Sequence, residues 1–167
     1  QYNPNSDLTS ITGPANTGNI TISYTRNAAG RLTSITRPGQ TLASGITYRA
    51  SGAMKHMVYG DNSTMDVTFN SRLLPATYNI PGRISKTYSY HDDGTLRFSS
   101  DAIDHRFDRS YGFDHAGRLK SALSGAEARG EGTTSNRPYY QTYGYDEFGH
   151  LNQRTVKTWS TGDYSVS

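Results

Sequence analysis

The sequence predicts an all-β chain: tandem β-hairpin repeats of about 22 residues in one curled antiparallel sheet. Three observations predict it. One phrase of nine residues recurs in register, its turn chemistry is that of a hairpin, and a second class of turn alternates with the first. The phrase is clearest at residues 111–119, YGFDHAGRL. Two aromatics in alternation read as strand. Asp114 then suits the first corner of a type I turn, because its carboxylate accepts backbone hydrogen bonds there. Gly117, lacking a β-carbon, takes the positive φ of a following bulge. Arg118 and Leu119 start the return strand, so the unit is a hairpin with a three-residue loop.

Residues 143–151 (YGYDEFGHL) and 88–96 (YSYHDDGTL) are close copies, with turns built on Asp146 and Gly149, and on Asp92 and Gly94. Looser copies occupy residues 24–32 (YTRNAAGRL), with Asn27 at the Asp position, Arg26 at the second aromatic and Gly30 in the bulge, and residues 48–54 (YRASGAM), which keep Gly52. Residues 2–8 put Ser6 at the Gly position. Residues 69–74 (FNSRLL) read as having lost a turn residue, with Leu73 as their anchor. From Ser6 through Gly30, Gly52, Leu73, Gly94 and Gly117 to Gly149, the steps are 24, 22, 21, 21, 23 and 32 residues. A fixed period of this size is the signature of a repeat architecture.

Taken in order, a worn first repeat fills residues 1–11, and residues 13–19 are expected to form a loop. Ile20, Ile22 and Tyr24 alternate into the next hairpin, whose return strand LTSIT nearly copies the earlier LTSI. The second class of turn stands at Pro38 and Gly39, where Pro presets φ for the glycine. Its counterparts are expected at residues 59–62, at Pro81 and Gly82, at Ser124 and Gly125, and at Thr161 and Gly162. Turns alternating at two margins make an up-and-down meander of about fourteen strands, past the width at which open sheets curl or split. Residues 124–138 (SGAEARGEGTTSNRP) widen the last step and read as an inserted exposed loop. The expected organisation is one array of about seven repeats over residues 1–167, a piece of something larger.

Only 33% of the residues are hydrophobic and the mean hydropathy is -0.74, a composition often seen in disorder. Here 13 tyrosines and the period argue for a wetted sheet packed through cross-strand Tyr and Thr pairs. The 17 basic residues are scattered, leaving a net charge of +3 and no basic stripe to bind nucleic acid. There are no cysteines, which removes disulfides, thiolate metal sites and Cys nucleophiles. No apolar run is long enough to span a membrane as a helix.

The recurring phrase resembles the YD-repeat, or Rhs-repeat, family, named for Y-D-x-x-G-R-L. The literal matches are residues 113–119 and 145–151. Its members include bacterial Rhs and polymorphic toxins, the shell-forming component of insecticidal toxin complexes, and animal teneurins. The resemblance implies a spiralling β-sheet around a hollow space, in a secreted or cell-surface protein, bacterial rather than animal. Its partners would be further repeats of the same parent, or identical chains paired through sheet edges, with an enclosed toxin domain or surface glycans beyond them. The self-cleaving shells of the family carry an Asp-Pro that this chain lacks, so that activity is not carried over.

No constellation argues for an enzyme or a cofactor. Asp101, Asp104, His105 and Asp108 form the densest polar cluster, but on a strand they do not share a face, and the reading is a polar turn rather than a metal site. No G-x-S-x-G elbow is present. Asn19-Ile-Thr and Asn62-Ser-Thr fit the glycosylation sequon, which matters only in a eukaryotic secretory setting. Equivalent tyrosines, Tyr88, Tyr90, Tyr111, Tyr143 and Tyr145 among them, should stack in ladders. They either pack the sheet or face outward as stacking platforms for a ligand such as a sugar. The functional expectation is a non-enzymatic segment of a β-shell; the alternative is a binding or assembly module that takes carbohydrate or polymerises edge to edge.

Overall fold

The computed structural model describes residues 1–15, 18–131, 139–157 and 164–166. The expected turn at Thr161 and Gly162 lies outside the described residues, as do residues 132–138 of the expected loop. Among the described residues fourteen strands follow one another in chain order. They are β1 (Ser10–Ala15), β2 (Gly18–Arg26), β3 (Leu32–Arg37), β4 (Gln40–Tyr48), β5 (Met54–Tyr59), β6 (Thr64–Phe69), β7 (Pro75–Ile80), β8 (Ile84–Tyr90), β9 (Leu96–Asp101), β10 (Arg109–Phe113), β11 (Leu119–Ser124), β12 (Tyr139–Tyr145), β13 (Leu151–Lys157) and β14 (Tyr164–Val166). One short helix, α1 (Gly125–Arg129), and a 3-10 turn at His105–Phe107 complete the set. Contacts divide the chain into two units, Gln1–Thr68 with Tyr78–Pro81, and Phe69–Thr77 with Gly82–Ser167.

In the first unit, β1 through β6 pair antiparallel in succession. The loop expected at residues 13–19 is shorter than its Gly and Pro content suggests. Gly13 pairs with Ile20, Pro14 with Asn19 and Ala15 with Gly18. Pro14 is tolerated because β1 has a strand on one side only, and a residue whose nitrogen faces away from the ladder loses no bond. In β4 the register slips between Ser44 and Thr47 beside Gly45, whose φ is 61°. An unbroken strand would send Ala43 and Ile46 to opposite faces; the bulge buries both, and they are 5% and 4% exposed. Met65 is buried as well, and polar pairs cross between strands, Thr12 with Thr21 at 2.8 Å and His56 with Asp66 at 2.7 Å.

In the second unit, β8 to β14 continue the antiparallel pattern. Its buried residues are mostly polar: Ser99, Asp101, Asp108, Ser124 and Gln141, beside Ala126. Two sequence expectations change here. Ser124 and Gly125 do not make a margin turn, and residues 125–129 are not exposed loop. They form α1, with Gly125 and Ala126 buried, ended by Gly130 at φ 76°. Ala126 is small enough to be fully enclosed, and the Gly125 amide donates to the Asp108 carbonyl at 3.0 Å. A five-residue helix has no lasting stability of its own, so this docking is what holds it.

Candidate functional site

The turns are built alike. In the hairpin of β10 and β11, the Gly117 amide donates to the Asp114 carbonyl at 3.0 Å, and the Asp114 amide to the Arg118 carbonyl at 2.9 Å. Asp114 Oδ1 accepts from the amides of Ala116 and Arg118, both at 2.9 Å. Asn3, Asn27, Asn70 and Asp146 repeat that pair of side-chain bonds in their own hairpins. The bulge position has positive φ throughout: Gly30 72°, Gly52 95°, Gly94 92°, Gly117 75° and Gly149 88°, with Ser6 at 63° and Leu73 at 64°. The hairpin at residues 69–74 therefore retains its turn, with leucine at the glycine position. The hairpin of β8 and β9 departs differently. His91 holds the Asp position, Asp92 lies within the turn, and the bracing carboxylate is Asp93, whose Oδ1 accepts from the Thr95 amide at 2.9 Å and hydroxyl at 2.7 Å.

Successive hairpins are joined by two side chains of the repeat. The second aromatic of one hairpin donates its hydroxyl to the carbonyl that opens the return strand of the hairpin before it. Tyr48 reaches Leu32 at 2.9 Å, Tyr90 reaches Pro75 at 2.7 Å and Tyr145 reaches Leu119 at 2.8 Å. The arginine after the bulge glycine points the other way. Arg31 donates to the carbonyls of Arg49 and Ala50 in the next turn at 3.0 and 3.3 Å, and its guanidinium lies 5.7 Å from the Tyr48 ring centre. Arg118 lies 4.5 Å from the Tyr145 ring centre. Arg72 reaches the matching carbonyls of His91 and Asp92 from two residues earlier in its turn. Glycine serves this joint a second time, since a β-carbon on Gly149 would stand 3.3 Å from Nη1 of Arg118.

One joint has its charges reversed. Asp7 stands at the arginine position and Arg26 at the second aromatic; Arg26 donates to the carbonyls of Leu8 at 3.4 Å and Gly30 at 3.1 Å. Its Nε is buried without a hydrogen-bond partner.

The tyrosines proposed as stacking platforms are all half-buried. The hydroxyls of Tyr90 and Tyr145 are committed to the joints, and Tyr143 donates to Gln141. Burial, with Tyr88 adding to it, pushes the Tyr90 phenol above its ordinary value. Tyr111 offers its carbonyl to His91 Nε2 at 3.2 Å, and Tyr88 stands across the ladder from Ser99.

The polar cluster at residues 101–108 gains two members that sequence did not mark, Arg129 and Lys86. Asp108 is completely enclosed. Its Oδ1 accepts from the Asp101 amide at 2.6 Å; its Oδ2 faces Arg129 at 2.8 Å and His105 Nδ1 at 3.2 Å. Burial pushes this carboxyl up, but the Asp101 amide, Arg129 and His105 outweigh it and leave its pKa lowered. Arg129 also binds Glu131 at 2.6 Å, and these two carboxylates hold it above its usual range. Lys86 meets Asp101 at 3.1 Å. Asp104 caps the 3-10 turn and binds Arg106, which lowers it to about 2. Among the described residues no group of three or more His, Asp or Glu could hold a metal ion. The cluster pins α1 and the 3-10 turn to the sheet.

The comparisons agree with this geometry. The family model described as RHS Repeat matches residues 2–42, the first two hairpin turns and the strands around them. Comparison with curated protein sequences finds no match. Among solved structures, the Photorhabdus luminescens Tc holotoxin pore, with TccC3 mutated, superposes with a TM-score of 0.78 at 15% identity. The alignment covers 99% of this chain and 9% of that one. A TcdB2–TccC3–TEV crystal structure gives 0.76 at 16% identity, covering 98% and 9%. One of TcdB2–TccC3 gives 0.72 at 15%, covering 94% and 10%. The chain thus spans about a tenth of the length of these structures, and at such identity the likeness is one of fold. The family is thus matched over residues 2–42, and the same turn recurs in register as far as Gly149.

Proposed function

We propose that this chain is a non-enzymatic structural segment of a YD-repeat β-shell, part of a secreted or cell-surface protein, and that the shell encloses a toxin domain. The observation that carries the reading is where the repeat spends its polar side chains. The tyrosine hydroxyls and arginine guanidiniums that define the repeat bind neighbouring hairpins, so the motif codes for assembly of sheet rather than for substrate. Solved structures of the same fold come from Tc toxin assemblies, which supports a wall as the role. No helix among the described residues is long and apolar enough to cross a membrane.

Committed hydroxyls weigh against the alternative of tyrosine platforms for carbohydrate. The test uses the parent protein that carries this chain. Limited proteolysis with mass-spectrometric mapping should reveal one segment protected in the intact particle and cut once mild denaturant opens it. A parent whose segments outside the repeats are all cut equally fast in the intact particle would overturn the shell reading.

A further inference from the structure

At the joint that follows the hairpin of β8 and β9 both linking side chains are absent, and an open cleft takes their place. Between the hairpin of β8 and β9 and that of β10 and β11, the arginine position holds Thr95 and the second aromatic is Phe113, which has no hydroxyl. The cleft has a volume of about 280 Å³ and is lined by His91, Asp92, Asp93, Thr95, Phe113 and Asp114. It lies just below the range of ordinary ligand pockets.

The sister joints show what shape belongs there. In one, a guanidinium lies 4.5 Å from the Tyr145 ring centre; in another, it donates to the carbonyls of Arg49 and Ala50. At the vacant joint the equivalent ring is Phe113 and the equivalent carbonyls are those of Asp114 and His115. The Asp114 carbonyl already accepts from Gly117, as that of Arg49 does from Gly52 while also taking Arg31, so its second lone pair suits the same use. Thr95 is neutral and supplies no cation, and its hydroxyl donates to Asp93. The neighbouring cations are engaged elsewhere, Arg72 with the carbonyls of His91 and Asp92, and Arg118 with the Asp114 carboxylate at 2.7 Å. His91 stands edge-on to the Phe113 ring with centres 6.1 Å apart. Asp92 and Asp93 add negative charge at the rim.

We propose that this cleft binds a guanidinium group from outside the chain, seated over Phe113 and donating to the carbonyls of Asp114 and His115. The site goes beyond the structural role proposed above and does not depend on it. Planar bidentate donation and stacking on an aromatic face favour guanidinium over ammonium.

The test is a titration of the isotope-labelled chain with N-acetyl-arginine amide, read by NMR at Phe113, Thr95 and His115. Saturable shifts in the millimolar range are expected at these residues, with at least a several-fold weaker response to the citrulline and lysine analogues. Thr95→Arg, which restores the internal clamp, should abolish the titration; Phe113→Leu, which removes the ring, should weaken it several-fold in a chain whose spectrum stays dispersed. A glycine-flanked arginine peptide that binds more tightly than the amide would identify a polypeptide as the source, and equal affinity a free guanidinium compound. Shifts scattered over the surface, an equal response to citrulline, or an unchanged titration in both variants would overturn the site.

Discussion

Asp114 and Asn27 occupy the same corner of two hairpins and make the same pair of bonds to backbone amides, yet only one of them titrates. The Arg118 amide, its guanidinium and the Ala116 amide hold the Asp114 carboxyl below its ordinary value despite some burial. A carboxyl lowered in the folded state contributes stability that is complete above its unfolded pKa, about 3.9, and is lost as pH falls through the folded value. Asp114→Asn should therefore keep the turn but flatten the acid limb of stability. Urea unfolding near neutrality and at about pH 3 would show it; an unchanged acid limb would mean that Asp114 contributes nothing there. The bulge position makes the opposite kind of comparison. Leu73 is 52% exposed at φ 64°, so Leu73→Gly should leave stability level or raise it by up to about 1 kcal/mol, strain relief being set against glycine's extra unfolded-state freedom. Gly117→Val, with nothing within 4 Å of the added β-carbon, should cost about 1 to 2 kcal/mol from backbone strain alone. Matched denaturation midpoints for Gly117→Val and parent would sink that turn geometry. Ser6 was legible at the bulge position only because the period pointed to it, whereas Leu73 was an anchor in a repeat read as having lost a turn residue; the chemistry of both side chains argues against positive φ.

Hairpins were readable from sequence because their determinants sit within nine residues. The joints were not, since Tyr145 bonds a carbonyl 26 residues back and Tyr48 one that is 16 back. A signal was nevertheless present: Arg31 with Tyr48 and Arg118 with Tyr145 occur together, while Thr95 and Phe113 lack both groups together. Tyr145→Phe should cost about 1 kcal/mol, the net worth of one hydrogen bond. A double-mutant cycle with Arg118→Ala should show a coupling of about 0.5 to 1 kcal/mol. Additive effects would mean that ring and guanidinium are merely adjacent. Helix α1 was missed for a related reason. Five residues rich in Gly, Ala and Glu carry no apolar period, and the groups that fix them, Asp108 and Gly125 or Asp108 and Arg129, lie 17 or more residues apart. Asp108→Ala leaves the buried Asp101 amide without its acceptor, while Arg129 keeps Glu131 and the His105 carbonyl, and should cost about 1 to 3 kcal/mol. Hydrogen exchange would locate the loss at residues 101–108 and 125–131, and a loss spread evenly over the sheet would argue against a local pin.

For the molecule as a whole, the sheet's outer strand decides how it meets its surroundings. One edge of the sheet is β1, which covers β2 and runs along Ser10–Ala15. Gln1 bonds the amides of Thr9 and Ser10 and the Ser10 carbonyl, covering the start of β1. Beyond it, Pro14 is the single residue that blunts the edge, and no lysine or arginine stands between Ile11 and Ala15. An uncovered row of amides and carbonyls is a template for another strand. In a head-to-tail array that contact propagates unless its rotation closes. We infer that β1 accepts a further strand, from another repeat or from a second copy of the chain. Sedimentation velocity of the isolated 167-residue chain should show association that grows with concentration. Thr12→Lys, which places a charge on an exposed edge residue, should suppress it while the circular dichroism stays that of antiparallel sheet. A monodisperse monomer at high concentration would rule out pairing between copies, and association that survives Thr12→Lys unchanged would move the contact away from β1.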